Sequence, residues 1–270
     1  MSNRQKLIAV VITCFMFVGV ESSFAEELQK HTWELGPEVS YIEYKEPGVM
    51  KEKGMMYGIA GSYTYHDKLM LKAEGRFSYG QVDYSSPTSG TMDNIDDYIF
   101  EFRGLGGYYF PVSKASFLTP YTGIGYRYLN DDTSGRTTST GAYGYERESN
   151  YIYSPIGVKF ITDLKNGWSF GAMAEYDIFW WGKQISHLSD VDPGYNDIKN
   201  RQTRGYGLRG SVEIQKKVKK VDLAIEPFIR YWNIKESKHA DWTWYGVKIG
   251  EAYEPKNHST EYGINLVVRF

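Results

Sequence analysis

Cysteine is almost missing from this 270-residue chain: Cys14 is the only one, and it lies inside an apolar N-terminal run. Everything after that run is left without a disulfide, a thiolate metal ligand or a thiol nucleophile. Long apolar runs are missing too. After Glu26 no stretch approaches the roughly 20 apolar residues of a membrane helix. A mean hydropathy of −0.48 is too polar for a bundle of such helices. Neither charge sign dominates, with 31 Lys and Arg against 33 Asp and Glu, so there is no basic footprint for nucleic acid.

Aromatic residues and glycine are abundant instead: 24 Tyr, 13 Phe, 7 Trp and 28 Gly, a mix that suits strands more than helices. The N-terminus is a separate segment. Arg4 and Lys6 precede the apolar residues 7–20, and Ser23-Phe24-Ala25 supplies a small-x-small site. This is the layout of a secretory signal, with cleavage expected between Ala25 and Glu26. Cys14 is preceded by Thr13 and followed by more of the apolar run, so it reads as part of the signal and not as a lipidation site. The expected organisation is a signal peptide over 1–25 and one domain over 26–270.

Within that domain, alternating apolar and polar residues recur in about ten segments: 32–45, 55–66, 69–84, 98–110, 117–130, 149–162, 168–181, 205–216, 222–234 and 260–270. The connections alternate in length. Those at 67–68, 112–116, 165–167 and 217–221 are short. Those at 88–97, 131–148, 183–204 and 235–259 are long, with 46–54 intermediate. Short turns on one side and long loops on the other are the pattern of a bacterial outer-membrane barrel, and an even strand number returns both termini to the periplasm. The predicted fold class is therefore all-β, an antiparallel transmembrane β-barrel of about ten strands. A soluble secreted β-sandwich is the alternative.

Period two sorts the faces. In 168–183, Trp168, Phe170, Tyr176, Ile178 and Trp180 share one face, while Glu175, Asp177 and Lys183 share the other. In 69–84, Leu69, Leu71, Phe77 and Tyr79 oppose Lys72, Glu74 and Arg76. A Lys or Arg on the lipid face near the midplane costs about 2–4 kcal/mol, so the charged set must face inward. Aromatics near strand ends, among them Trp33, Tyr63, Tyr65, Tyr108, Phe110, Tyr176, Trp180 and Tyr231, suit interfacial girdles. The inward charges would be Lys72, Glu74, Arg76, Glu101, Arg103, Arg127, Lys159, Glu175, Asp177, Arg209, Glu213, Glu226, Arg230 and Glu261, with Glu34, Glu38 and Arg269. Their signs nearly cancel. A small barrel can be filled by side chains, so these residues predict a paired network and a largely closed lumen. A narrow solute channel is disfavoured on the same ground.

In the last segment, Tyr262, Ile264, Leu266, Val268 and Phe270 form the lipid face, and Glu261, Gly263, Asn265 and Arg269 face the lumen. This strand must pair with the first, because an open edge in hydrocarbon leaves backbone groups unsatisfied. The ending resembles the C-terminal signal of outer-membrane barrels, which implies recognition of the Phe270 strand by the barrel assembly machinery.

The strand number and loop plan resemble the omptin proteases and the ten-stranded adhesins that share their architecture. The resemblance covers the whole domain in topology. It implies an acidic pair on the second outer loop and an Asp-x-His motif on the fourth, together activating a water for peptide hydrolysis, with bound lipopolysaccharide needed for activity. Here the second loop carries Asp93, Asp96 and Asp97. The fourth carries His187, Asp190 and Asp192. The motif itself is not matched, because Asp192 is followed by Pro193-Gly194 and His187 precedes Asp190. Asp and Asn also serve turns without any catalysis.

A Ser–His lipid hydrolase is weaker still, since no strand puts a histidine beside Ser154. The Asp190–Asp197 stretch lacks the positions of an EF-hand loop. No metal and no cofactor is expected. The fifth loop carries Trp242-Thr243-Trp244-Tyr245-Gly246, aromatics able to anchor a binding site or to pack across the barrel mouth. Lys183, Arg201, Arg204, Lys235 and Lys238 could meet lipopolysaccharide phosphates, although an ordinary solvated rim is the more economical reading. The function expected is non-enzymatic, structural or surface-binding, in a monomer that contacts outer-membrane lipid and no nucleic acid; the alternative is a diverged omptin-like endopeptidase.

Overall fold

In a computed structural model, described for residues 30–270, the chain forms fourteen strands. They are β1 (His31–Glu46), β2 (Met50–His66), β3 (Leu69–Ser86), β4 (Gly90–Tyr108), β5 (Phe110–Ser113), β6 (Ser116–Asp132), β7 (Glu146–Asp163), β8 (Trp168–Ser186), β9 (Ile198–Gln202), β10 (Gly205–Val218), β11 (Val221–Ile234), β12 (Ala240–Trp244), β13 (Val247–Ala252) and β14 (Asn257–Arg269). The signal segment expected over 1–25 lies outside the described residues.

β5 continues β4 and β9 leads into β10, so the twelve segments of the main sheet make ten wall strands, each antiparallel to its neighbours. β14 pairs with both β11 and β1, which closes the sheet. The closure runs to the last residue: Trp33 N–H donates to the Phe270 carbonyl at 2.8 Å and Phe270 N–H to the Trp33 carbonyl at 2.9 Å. Among the described residues the main sheet thus has no open edge.

The alternation holds along each wall strand. On β14, Tyr262, Ile264, Leu266, Val268 and Phe270 point outward and are exposed, while Glu261 and Asn265 are buried inside. On β8, Trp168, Tyr176 and Trp180 face outward while Glu175 and Asp177 are buried inside. Outward aromatics form two bands. Near the termini, Trp33 packs on Tyr63 and Tyr108 on Phe110. Toward the other end, Tyr176 stacks on Tyr206, Tyr98 packs on Tyr128 and Tyr41 on Tyr262. On β1, Trp33 and Tyr41 mark these bands about 26 Å apart along the strand at about 3.3 Å per residue.

The end at which β1 begins and β14 finishes has only tight connections. Asn166 and Gly167 both take positive φ, 60° and 72°, between β7 and β8, as an Asn-Gly turn does. The opposite end carries the long loops 133–145, 187–197 and 235–256. Two connections expected to be loops are not. Residues 47–49 and 87–89 are tight turns, and residues 91–97 belong to β4. The Asp- and Asn-rich composition of 88–97 reads as a loop because a bulge interrupts the ladder. There Asn94 takes φ 55° and donates its N–H to Asp83 Oδ1 at 3.1 Å, while the pairing of β4 with β3 resumes on either side.

Candidate functional site

Three layers of side chains occupy the bore. In the middle layer, Arg76 donates to Glu38 (2.8 Å), to both oxygens of Glu261 (2.8 and 2.9 Å) and to Glu101 (3.0 Å). Arg230 reaches Glu38 at 2.9 Å. Arg209 on β10 crosses the bore to bind both oxygens of Glu101 on β4 and also donates to Asp177 at 2.8 Å and to the Tyr153 hydroxyl at 2.9 Å. Arg103 on β4 likewise crosses to Glu175 on β8, at 2.6 and 3.1 Å, where Tyr121 also donates at 2.7 Å. Because β8 and β10 lie three and four strands round the ten-strand ring from β4, these forked pairs span the bore as bars and do not run along the wall. Two rings complete the seal. Tyr153 lies flat over Gly125 and Tyr121 over Gly157, where an added Cβ would meet the ring at 2.3 and 2.4 Å.

Arg127 differs from the expected pairing. It is buried without a carboxylate partner among the described residues. Its guanidinium stands over the Tyr151 and Trp232 rings at 5.8 and 6.0 Å, so aromatic faces take the place of an anion. Glu226 is also outside any ion pair among the described residues and accepts from Ser211 at 2.6 Å.

Toward the termini the bore widens into a vestibule of about 1750 Å³. Its floor is the middle layer, and its wall carries Glu34, Lys72, Lys159, Glu213 and Arg269, paired by Arg269–Glu34 (2.6 Å), Lys72–Glu34 (3.3 Å), Lys72–Glu74 (3.2 Å) and Lys159–Glu213 (3.4 Å). The lumen is thus barred at its middle and hollow in its terminal half, where the inward positions Gly36, Ala60, Ser62 and Thr119 are too small to fill it. Toward the loops, Arg147 binds Glu46 (2.6 Å) and Glu254 (3.0 Å) beneath Tyr44.

The residues considered for catalysis do not converge. Asp97 is buried and points into the bore, while its neighbour Asp96 points outward and accepts from Tyr79 at 2.6 Å. Asp93 is exposed, and its carbonyl accepts from Arg136. Asp190 accepts the Glu146 N–H at 3.0 Å, and Asp192 turns back to the Gly194 N–H at 2.7 Å. The His187 imidazole bonds to neither carboxylate; only its backbone carbonyl accepts the Asp190 N–H, at 3.0 Å. Its Nε2 lies 2.9 Å from Glu148 and its Nδ1 3.2 Å from Asp197. Partial burial alone would depress the imidazole, but the Glu148 bond and the Asp197 and Glu146 charges outweigh it and raise the pKa above the ordinary value. Glu146, Glu148 and His187 form a group with metal-ligand spacing. The sequence signal that could have found it is the Glu-x-Glu pair at 146 and 148, one face of the strand that His187 follows in space.

Loop 235–256 folds into the β12–β13 hairpin, turning at Tyr245 and Gly246 with φ 44° and 81°. Asn196 anchors it to loop 187–197, accepting from Thr243 N–H and hydroxyl and donating to the Asp241 carbonyl at 3.0 Å. Trp244, Tyr245, Val247 and Ile249 remain exposed on it, Tyr245 by 72%.

The profile of the outer membrane protein beta-barrel domain matches residues 10–203. Among solved structures, the chain is similar to the outer membrane protease OmpT from Escherichia coli, with TM-score 0.62 and 8% identity over 92% of this chain and 99% of that one. Weaker likenesses are the transport unit of the autotransporter AIDA-I from Escherichia coli (TM-score 0.42, 12% identity, 98% of both chains) and the toluene transporter TbuX from Ralstonia pickettii (TM-score 0.37, 9% identity, 89% of both chains). No curated protein matches the sequence.

Proposed function

The chain belongs to the outer membrane protein β-barrel family, and from that premise we propose a non-enzymatic, surface-binding barrel that works through its loop end. Membership places it in the bacterial outer membrane, in contact with membrane lipid. The tight turns beside the termini favour a periplasmic position for that end, with the long loops outside. Paired β1 and β14 support a monomer, delivered to the membrane by the assembly machinery through the Phe270 strand.

The observation that carries the binding role is the β12–β13 hairpin. It holds Trp244, Tyr245, Val247 and Ile249 exposed beyond the wall strands, yet it is tied down by Asn196. Rigid aromatics presented at low entropic cost are what binding sites use. Two further findings speak against the alternatives. The forked arginine bars oppose a solute channel. Asp97 points into the bore while Asp96 points outward to Tyr79, and the His187 imidazole is engaged by Glu148 and Asp197 instead of either; this arrangement opposes an omptin-like endopeptidase, and a likeness at 8% identity carries the fold alone.

The test uses cells displaying the full barrel on arrays of glycans and extracellular matrix proteins. Binding is expected, and replacing Trp244, Tyr245 and Ile249 together with serine should abolish it without changing surface display. Turnover of a peptide library that is lost in His187→Ala would overturn the non-enzymatic reading. Binding that survives the triple substitution would sink the role of the hairpin.

A further inference from the structure

We propose that Glu146, Glu148 and His187 form a binding site for a divalent cation of the zinc type on the outer wall of the barrel. The two glutamates are two residues apart on β7 and so share a face. That face is outward: the intervening Arg147 turns into the bore to meet Glu46, and Ser149 bonds Gln184 inside. His187 follows the end of β8, and its N–H donates to the Glu146 carbonyl at 2.9 Å, so the backbone ladder itself sets imidazole and carboxylates side by side. Their donor atoms all lie within 4.8 Å of one another. A zinc ion held at about 2.0–2.2 Å from each needs donors roughly 3.5 Å apart, which small rotations of the side chains supply.

The surroundings suit a metal better than a bare ion pair. A metal-binding histidine commonly donates its other ring N–H to a carboxylate, which fixes the tautomer and turns the free nitrogen to the metal. Asp197 occupies that position at His187 Nδ1, 3.2 Å away. Asp197 is itself held by the Ser189 hydroxyl at 2.7 Å. His187 Nε2 then faces Glu148 at 2.9 Å. Glu146 is oriented by Asn130 Nδ2 at 2.6 Å. No lysine or arginine pairs with Glu146, Glu148 or Asp197 among the described residues. One imidazole with two carboxylates matches zinc, cobalt or nickel, whereas calcium and magnesium take six or more oxygens. Three protein ligands leave a fourth position open, one outward step along the β6–β7 ladder from Tyr128 of the loop-side aromatic band. A metal there would staple loop 187–197 to β7.

The experiment is zinc titration by calorimetry of the tag-free full barrel in detergent, with Co²⁺ absorption as the spectroscopic readout. One equivalent of Zn²⁺ is expected to bind, and Co²⁺ should give visible d–d bands. His187→Gln and Glu148→Gln should each weaken binding at least about 100-fold. Asp197→Asn, which removes only the orienting partner, should weaken it about 10–100-fold. Heat-shifted gel mobility checks that each variant is folded, and two independent ligand variants keep the test alive if one fails. A wild-type barrel that binds no Zn²⁺ up to about 1 mM, or His187→Gln and Glu148→Gln variants that bind as well as wild type, would overturn the proposal.

Discussion

The two halves of the lumen are walled by the same strands with the same inward alternation, yet one is barred and the other hollow. In the barred half, arginine forks meet glutamates from the opposite wall, and Tyr153 and Tyr121 lie over glycines. In the hollow half, the pairs join nearby strands along the wall and leave the axis free. Charged side chains line both. What differs is reach and shape: a guanidinium long enough to cross the bore, and a bare backbone opposite a ring. A count of charged residues does not separate a plug from a vestibule; the partner of each charge does.

That contrast can be broken most severely at Arg209. Its removal in Arg209→Ala leaves Glu101 and Asp177 buried with a lost partner, a change that costs about 3–5 kcal/mol. Urea unfolding of the barrel in lipid vesicles, followed by tryptophan fluorescence, should show that loss. Planar-bilayer recordings should show steady conductance where the wild type shows none; a variant as stable and as silent as wild type would mean that the bars do not close the bore. Next comes Gly125→Ala. Its new methyl group collides with the Tyr153 ring, and overpacking of this kind costs about 1–3 kcal/mol. The same unfolding assay reads it, and a paired Tyr153→Phe substitution should not restore stability, since the ring remains. The smallest effect belongs to the vestibule. Lys159 and Glu213 are 3.4 Å apart beside the open space. Lys159→Ala should cost no more than about 1 kcal/mol, as partly solvated pairs do, and should leave conductance unchanged. A loss as large as that of Arg209→Ala would erase the distinction between the halves.

The wall was legible from the chain alone because lipid imposes period two. Trp168 to Trp180 and Tyr262 to Phe270 sort into outward apolar and inward polar sets without reference to any neighbour. The loop end was harder. Strand β4 reaches out to Gly90 because cross-strand hydrogen bonds carry it past Asp93, Asn94 and Asp96, residues that suggest a turn when read one by one. The surroundings of His187 were harder still. Reading along the chain pairs it with Asp190 or Asp192, which are close in sequence. Register pairs it with Glu148, 39 residues away, and only the β7–β8 ladder supplies that information. Arg127 illustrates the same limit: its charge was evident, but the stacking of Tyr151 and Trp232 beneath it depends on three separate strands.

The seam between β1 and β14 has a topological consequence. Glu34 and Arg269, 235 positions apart, meet there as ordinarily as any hairpin neighbours. The wall is therefore a ring with no intrinsic starting point. Opening the chain at the Lys219–Lys220 turn and joining Phe270 to Lys30 through a short linker would change the order of synthesis while keeping each strand beside the same two neighbours. Such a circular permutant makes the former seam a local contact and turns the β10–β11 hairpin into the last long-range closure.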